Sequence, residues 1–314
     1  MPYFLGIDTS NYTTSVAVYN SDNNTINHTK RLLPVKEGSI GVRQSDAVFL
    51  HTKALPELIK EVINPEINIS SIGVSIKPRD LEESYMPCFL AGLNAAQAAA
   101  TVKHTSLWEF SHQRGHIMSA LWSANALNFI KSNFLSFHVS GGTTELLLVK
   151  PHEDLIINCN IVSSTSDLNA GQVIDRVGVM LGLKFPAGLE LEKLALKSTK
   201  KFKPNVFCND GNCSLSGIEN QCKKMFDNNE KPEDICLFAL DSVYNAIKKM
   251  CDYALEKHGN LPIVFAGGVM SNTILKNKLS NAYNSYFALP QFSSDNAAGI
   301  AILTAIKEGE LYVE

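Results

Sequence analysis

Two stretches of the chain alternate between apolar and small polar residues as β-hairpins do. Residues 4–19 read FLGIDTSNYTTSVAVY and residues 134–149 read FLSFHVSGGTTELLLV. Each has an apolar run, a turn of hydroxyl and small residues, and a second alternating run, which predicts a hairpin. A third possible strand follows each hairpin. The same order of elements in both halves predicts a duplicated α/β architecture with a cleft between two lobes.

Longer amphipathic stretches predict helices. In the first half, helices are expected at 47–63 and 87–102, with a strand at 71–76. In the second half, helices are expected at 170–183, 232–257, 271–282 and 295–307, with strands at 262–265 and 285–288. A further helix is expected over 108–125, and residues 202–214 predict a loop. Two unrelated α/β domains that each begin with a hairpin remain the alternative.

Length and charge restrict the class of protein. The chain has 314 residues, which predicts about two domains. Lys and Arg number 28 against 31 Asp and Glu, so any nucleic-acid contact needs a local basic patch or a partner protein. The start of the chain does not read as a signal peptide, and no run approaches the roughly 20 apolar residues of a membrane span. We therefore expect a cytoplasmic protein without membrane contact.

The cysteines give no sign of a disulfide framework or a thiolate zinc site. There are seven of them, an odd number, and no CxxC pair occurs. Cys208 and Cys213 lie close enough along the chain to pair in a loop. In a reducing compartment, however, free thiols are the expected state.

The two hairpin turns are candidate phosphate-binding elements. Residues 140–144 read SGGTT, and glycines there let a ligand approach backbone N–H groups that can surround an anion. Residues 9–14 read TSNYTT, which offers hydroxyls without the glycines. A single turn of this kind is usually only a turn, whereas two in equivalent positions favour a phosphate clamp. No GxxxxGK[ST] sequence occurs, so a P-loop NTPase is disfavoured.

Two further elements suit a nucleoside. Residues 265–272 read FAGGVMSN, where glycines would let a base or ribose lie against the backbone near Asn272. Asp175 lies on a predicted helix, and its carboxylate could accept hydrogen bonds from ribose hydroxyls. A strand-to-helix turn would equally explain the glycines, and a solvated helix face would explain Asp175.

His112 and His116 form an HxxxH pair. On a helix, this spacing lets two imidazoles bind one metal ion, but two ligands do not complete a site. Asp295 follows a predicted strand and could supply a carboxylate, although it is also a good helix N-cap. The pair could equally be surface or core histidines.

Short motifs run along the chain in a fixed order: FLGIDTS, SHQRGH, VSGGTTELLLV, AGQVIDRVGVMLGL with FPAG after it, SLSG, FAGGVMSN and SSDNAAGIA. Together they resemble the bacterial TsaD family, whose older names are Gcp and glycoprotease. The resemblance extends from about Phe4 to Ala305. It implies an actin/hexokinase-like (ASKHA) two-lobed α/β fold. The implied divisions are an N-terminal lobe at 1–105 with a closing helix from 295–314, a helical metal-binding segment at 106–130, and a C-terminal lobe at 131–314.

The resemblance also implies an activity and a set of site residues. The family transfers a threonylcarbamoyl group from threonylcarbamoyl-AMP to N6 of adenosine 37 in tRNA. One divalent metal ion, Fe²⁺ or Zn²⁺, would be held by His112, His116 and Asp295. ATP or the acyl-adenylate would be bound by the following residues: Val139, Ser140, Gly141, Gly142, Thr143, Asp175, Gly188 and Asn272. TsaB-like and TsaE-like proteins would be partners, in a homo- or heterodimer.

The chain departs from the usual motifs of that family at three places. Tyr12 and Thr13 replace an acidic pair in the first turn, Thr143 stands where His is usual, and Ala187 replaces Gly. These departures suggest a divergent paralogue in which Tyr12 or Thr13 contacts the acceptor, which is tRNA or another molecule. A non-catalytic TsaB-like partner is the alternative, although the HxxxH pair argues against it. Peptide hydrolysis is disfavoured because Gln113 replaces the Glu of HExxH.

Overall fold

The computed structural model describes residues 2–10, 12–34, 42–293 and 296–310. The chain divides into two compact units. The first unit comprises residues 1–130, 151–158 and 291–314, and the second comprises 131–150 and 159–290. Residues 106–130 therefore belong to the first unit. None of the described helices has both the length and the apolar character that a bilayer span requires.

The first unit is a five-stranded sheet with helices. Its elements are β1 (Tyr3–Ser10), β2 (Thr13–Asn20), β3 (Thr25–Leu32), α1 (Gln44–Val62), β4 (Ile69–Lys77), α2 (Phe89–Lys103), β5 (Ser106–Ser111) and α3 (His112–Ser123), and α9 (Ala297–Lys307) completes it. The strand order is β3-β2-β1-β4-β5. The hairpin strands pair antiparallel, whereas β1, β4 and β5 are parallel.

The second unit repeats this topology. Its elements are β6 (Phe134–Val139), β7 (Thr144–His152), β8 (Ile156–Ser164), α4 (Ala170–Met180), α5 (Gly188–Ala195), β9 (Cys208–Asn209), β10 (Asn212–Cys213), α6 (Ser216–Asp227), α7 (Pro232–His258), β11 (Ile263–Ala266), α8 (Thr273–Ala282) and β12 (Ser285–Phe287). The strand order is β12-β11-β6-β7-β8, with β6, β11 and β12 parallel. Each sheet thus starts from a hairpin, as the sequence predicts, and adds two parallel strands, of which β5 in the first unit was not predicted.

Close backbone packing holds the last helix against the first unit. A Cβ on Gly6 would lie 2.1 Å from the carbonyl oxygen of Ala297, and one on Gly299 would lie 1.9 Å from that of Gly115. Because neither contact leaves room for a methyl group, α9 lies directly on β1 and α3. The glycine inside HQRGH, which by propensity alone weakens a helix, fits this packing, because a Cβ there would lie 3.0 Å from the carbonyl oxygen of Asn296.

Three local predictions are wrong. The helix expected from Trp108 begins only at His112, because residues 106–111 form β5 at the edge of the sheet. Residues 208–213, expected to be loop, form the β9–β10 hairpin. Cys208 and Cys213, expected as free thiols, form a disulfide across that hairpin.

Candidate functional site

A buried carboxylate lies at the carboxyl end of β1 in the first unit. Asp8 is fully buried, and its Oδ2 accepts a hydrogen bond from Ser10 Oγ at 2.6 Å. Its Oδ1 accepts from Ser75 Oγ on β4 and lies 3.0 Å from His112 Nδ1, at the start of α3. Carboxyl ends of neighbouring parallel strands meet at one edge of a sheet, so β1, β4 and β5 bring these residues together. We call Asp8, Ser10, Ser75 and His112 the Asp8 cluster.

The Asp8 cluster favours an ionised carboxylate. Burial raises the pKa of Asp8, but the charge of His112 and the hydrogen bonds from His112, Ser10 and Ser75 outweigh burial and lower it overall. Since a carboxylate can only accept, Nδ1 of His112 carries the proton in this contact. In the neutral imidazole, this tautomer leaves a lone pair on the other ring nitrogen, Nε2.

The two histidines of the HxxxH pair lie side by side. Their rings meet edge to face, with centroids 4.5 Å apart. Asn296 Nδ2 is 3.4 Å from His112 Nε2, whereas its Oδ1 is buried with no hydrogen-bond partner among the described residues. Two adjacent imidazoles and an unsatisfied amide oxygen suit a metal ion or its bound water. Asp295, the third predicted ligand, lies outside the described residues, and within those residues no three His, Cys, Asp or Glu side chains group as metal ligands.

Arg114, which lies between the histidines, is a structural residue. Its guanidinium is buried and forms a two-point ion pair with Asp80, at 2.8 Å from Nε to Oδ2 and 3.0 Å from Nη2 to Oδ1. Ser111 Oγ donates to the same carboxylate at 2.7 Å. This planar pairing fixes the loop after β4 to the first turn of α3 and so sets the position of His112.

The two candidate acceptor residues lie in the first hairpin turn. Tyr12 is 38% exposed, and its carbonyl oxygen accepts from the backbone N–H of Leu33 at 2.8 Å. Thr13 begins β2 and pairs with Ser10, a member of the Asp8 cluster. The turn therefore presents an aromatic hydroxyl and an aliphatic hydroxyl, with no carboxylate at either position.

The second hairpin turn, in the second unit, is held by its backbone N–H groups and the hydroxyl of Ser140. Ser140 N–H donates to the carbonyl oxygen of Thr143 at 2.7 Å, and Ser140 Oγ accepts from the N–H groups of Gly142 and Thr143. Nothing lies within 4 Å of a Cβ placed on Gly141 or Gly142, so this side of the turn is open to a ligand. Val139, just before the turn, is fully buried in β6.

A helix start packs directly on that turn. A Cβ on Gly171, in the first turn of α4, would lie 2.6 Å from the nitrogen of Gly141, and Gly171 N–H donates to the carbonyl oxygen of Ser140 at 3.1 Å. The first N–H groups of α4 are already paired, that of Ala170 with Thr144 Oγ1 at 2.9 Å and that of Gly171 with Ser140, but the N-terminus of the helix still carries a partial positive charge. The turn and α4 together form an environment suited to an anion.

A cavity of about 370 Å³ opens in the second unit. It is lined by Gly141, Gly171, Ile174, Asp175, Pro186, Gly188, Leu189, Glu192, Gly268, Val269, Ser271 and Asn272. The cavity wall thus contains four of the predicted nucleotide-binding residues. They are Gly141 in the turn, Asp175 on α4, Gly188 at the start of α5 and Asn272 at the N-cap of α8. The other four predicted residues, Val139, Ser140, Gly142 and Thr143, are not among the lining residues.

The polar residues of the cavity already have structural partners. Asp175 Oδ1 accepts from the N–H of Ala187 at 2.8 Å, which caps α5. Asn272 Oδ1 accepts from the N–H of Leu275 at 3.0 Å, which caps α8. Each side chain is therefore held in place by one atom, and no hydrogen bond of Asp175 Oδ2 or Asn272 Nδ2 is seen within the described part of the chain. At Asp175 and at Asn272, therefore, the observed hydrogen bond to a helix start does not conflict with the predicted role in nucleoside binding.

Sequence reasoning missed Glu192 and Asp8. Glu192 is buried on α5, lines the cavity, and its Oε1 accepts from the N–H of Thr273 at 2.7 Å. Its signal was an acidic residue on the buried face of an amphipathic helix, which is rare unless the charge has partners. For Asp8 the signal was a carboxylate that directly follows a buried strand.

Asp167 fixes the start of α6 beside these elements. Its carboxylate accepts from Ser214 Oγ at 2.6 Å and from the N–H groups of Leu215 and Ser216 at 2.7 and 3.2 Å. Burial raises its pKa, but these hydrogen bonds and the one from Leu168 outweigh burial and hold the pKa well below its usual range. The SLSG motif is thereby tied to the segment that enters α4.

Comparison with known proteins identifies relatives along nearly the whole chain. A family model described as "TsaD: tRNA N6-adenosine threonylcarbamoyltransferase" matches residues 36–302. A tRNA N6-adenosine threonylcarbamoyltransferase of Sulfurihydrogenibium sp. (strain YO3AOP1) is 31% identical over 308 residues, covering 95% of this chain and 88% of that protein.

Solved structures show the fold. Component A of the (R)-2-hydroxyglutaryl-CoA dehydratase of Acidaminococcus fermentans gives a TM-score of 0.58 at 15% identity, covering 98% of this chain and 100% of that one. Full-length HypF, in a phosphate- and nucleotide-bound form, gives 0.61 at 12% identity, covering 99% and 47%. The predicted actin/hexokinase-like α/β fold is confirmed.

Proposed function

The chain belongs to the TsaD family of tRNA N6-adenosine threonylcarbamoyltransferases, and we propose that it transfers a threonylcarbamoyl group from threonylcarbamoyl-AMP to N6 of adenosine 37 in tRNA. The observation that carries the proposal is the cavity of the second unit, which gathers Gly141, Asp175, Gly188 and Asn272. Its volume of about 370 Å³ falls within the range of small-molecule and cofactor sites. Because tRNA is the proposed acceptor, the proposed location is the cytoplasm.

In this proposal the second unit binds the adenylate. Ile174, Leu189 and Val269 offer apolar surface to the purine. Asp175 Oδ2 accepts from a ribose hydroxyl, and Asn272 Nδ2 donates to the nucleoside. The phosphate lies at the open side of Gly141 and Gly142, where the N-terminus of α4 favours negative charge.

The first unit, in this proposal, holds one divalent ion, Fe²⁺ or Zn²⁺, on His112, His116 and Asp295. When bound, the ion supplies a Lewis acid for the transfer. Asp8 orients His112 by accepting from Nδ1, which leaves Nε2 as the ligand atom. The buried Oδ1 of Asn296 gains a partner in a ligand or in water.

The proposed reaction needs no covalent bond to the protein. The N6 amine of adenosine attacks the carbamoyl carbon, and a C–N bond forms. The bond from that carbon to the phosphate oxygen breaks, AMP leaves with the electron pair, and the amine proton passes to water. Tyr12 and Thr13 orient the acceptor through their hydroxyls. TsaB-like and TsaE-like proteins are proposed partners.

A second candidate is transfer of the same acyl group to another acceptor. The observation that favours it is the first hairpin turn, where an exposed Tyr12 and Thr13 stand without a carboxylate. An acceptor that needs no base at that turn would suit these residues. The adenylate site of the second unit would be shared by both candidates.

The test is a reconstituted reaction with purified protein, threonylcarbamoyl-AMP and unmodified tRNA, analysed by mass spectrometry of the nucleosides. Modified adenosine is the expected product, with AMP released in equal amount. AMP release that depends on a different added acceptor would favour the second candidate. No binding of an adenylate in calorimetry would contradict both candidates and favour a non-catalytic partner role.

A matched pair of variants tests the cavity itself. Gly188→Leu would fill the cavity, since a Cβ there meets only Ile174 at 3.9 Å and is sterically tolerated. Gly217→Leu, in the first turn of α6, adds the same side chain where nothing lies within 4 Å. We expect Gly188→Leu to weaken adenylate binding roughly tenfold or more, and Gly217→Leu to leave it unchanged.

A further inference from the structure

The second unit carries a segment with the opposite charge to the chain as a whole. Residues 193–205 contain five lysines and no acidic residue, whereas the whole chain has a net charge of −3. The lysines are Lys193, Lys197, Lys200, Lys201 and Lys203, and all are exposed. We call residues 193–205 the lysine segment.

The backbone of the lysine segment is anchored on α7. Phe202 packs edge to face on Phe238, with ring centroids 5.4 Å apart. Asn245 Nδ2 donates to the carbonyl oxygen of Pro204. Lys249 Nζ donates to the carbonyl oxygen of Val206 at 2.6 Å, just past the segment. The segment is therefore held in one conformation although it contains no regular structure after α5.

This anchoring points the lysines outward. Along residues 201–205 exposed and half-buried residues alternate, so Lys201 and Lys203 face solvent while Phe202 and Pro204 face α7. Alternation of this kind is the rule for an extended chain. Lys193 and Lys197 are four residues apart and share a face of α5 and its last turn.

Across the residues that the structure describes, Lys200 is the one lysine of the segment that forms ion pairs with nearby acids. Lys200 Nζ lies 2.9 Å from Asp234 and 3.3 Å from Glu230. Among the described residues, Lys193, Lys197, Lys201 and Lys203 form no ion pair. Four cations held close together along the chain repel one another, and a polyanion relieves that repulsion.

We propose that the lysine segment is a binding surface for the phosphate backbone of tRNA. The inference rests on the proposed function for the identity of the polyanion. Because the backbone of the segment is already ordered, phosphate binding requires no further backbone ordering, and each neutralised phosphate releases counterions. The segment supplies the local basic patch that a chain of net negative charge requires.

The experiment measures binding of labelled, unmodified tRNA to the full chain at several KCl concentrations. Wild-type protein should give a linear fall of log affinity with log salt. The variant Lys201→Ala/Lys203→Ala should bind roughly tenfold more weakly for each lysine removed at about 0.1 M salt, and its salt slope should be smaller by about two. Thermal unfolding should be unchanged, because both side chains are exposed.

The matched control is Lys53→Ala/Lys60→Ala on α1, which removes two exposed charges from the first unit. It should bind tRNA as the wild type does. An equal loss in both variants would assign the effect to net charge and overturn the proposal. So would an unchanged affinity of Lys201→Ala/Lys203→Ala, or a wild-type protein that does not bind tRNA.

A membrane surface is the competing partner. Vesicles with anionic lipid should not bind the wild type more strongly than the Lys201→Ala/Lys203→Ala variant. A loss of vesicle binding without a loss of tRNA binding would overturn the proposal. Binding of tRNA and formation of modified adenosine are measured separately. Lysine-dependent tRNA binding without modified adenosine would refute the proposed function but would still support the lysine segment as a tRNA-binding surface.

Discussion

The two units share a strand order but differ in what they place at the hairpin turn. In the first unit, the end of β1 carries Asp8, whose buried carboxylate collects hydroxyls and His112. In the second, the corresponding turn carries Gly141 and Gly142 and is closed by hydrogen bonds from the backbone N–H groups of Gly142 and Thr143 to Ser140 Oγ. The comparison shows that the same strand order supports two chemically different hairpin turns. Side-chain charge suits a cation, and open backbone suits a nucleotide.

The largest expected effect comes from the packing that supports the first unit. Gly299→Ala places a methyl group 1.9 Å from the carbonyl oxygen of Gly115 and must separate α9 from α3. We expect a loss of about 3 kcal/mol or more in the free energy of unfolding, measured by urea titration. Gly217→Ala is the control, since nothing crowds a Cβ there. Equal midpoints for the two variants would show that the helices can separate at little cost.

The next effect concerns the second unit. Gly171→Ala places a methyl group 2.6 Å from the nitrogen of Gly141 and pushes α4 off the turn. We expect a loss of about 2 kcal/mol in stability and weaker adenylate binding by calorimetry. Gly142→Ala, on the open side of the same turn, should change stability little. Adenylate binding unaffected by Gly171→Ala would break the assignment of this turn to the nucleotide.

Asp8→Asn tests whether the first unit depends on side-chain charge. The amide no longer accepts as a carboxylate does from Nδ1 of His112, so the ring loses its fixed tautomer. Zinc affinity, measured by competition with a chelator, should fall roughly tenfold. Asp46→Asn, an exposed acid on α1, should leave zinc affinity unchanged. The same affinity in both variants would exclude an orienting role for Asp8.

The smallest effect is at Asp167, which uses a carboxylate in the second unit for structure alone. Its lowered pKa means that ionisation stabilises the fold above the unfolded-state pKa of about 3.9, and that this stability is lost as pH falls towards the folded-state pKa. Asp167→Asn should cost about 1 kcal/mol at pH 7, and the difference from wild type should shrink below about pH 4. A pH-independent difference would show that charge plays no part in this cap.

Sequence reasoning located the elements better than their contacts. The two hairpins follow from a period of two in the apolar residues, and the order of motifs led to the family and the fold. The start of α3 was misplaced because Trp108 and Phe110 fit both a helix and an edge strand. The pairing of Cys208 with Cys213 depends on the two-residue turn Asp210-Gly211, whose Asp-Gly sequence is a hairpin signal that the loop prediction overlooked.

Side-chain partners were the least predictable part of the candidate site. Arg114 could be taken for a ligand-binding residue, but its partner Asp80 lies in a loop 34 residues earlier in the chain. Glu192 and Thr273 are 81 residues apart, and only the fold brings them together. Such contacts are set by tertiary packing, so spacing along the chain carries no signal for them.

The position of α9 has a consequence for biosynthesis. This helix fills a groove of the first unit against Gly6 and Gly115, yet it follows residue 290 in the chain. During synthesis, the sheet of the first unit is made first, but its apolar surface stays uncovered until α9 has been synthesised. All residues of the second unit, by contrast, have been synthesised by residue 290. A nascent chain stalled before Ala297 should expose the first unit to chaperones and proteases, and release of the remaining residues should end that exposure.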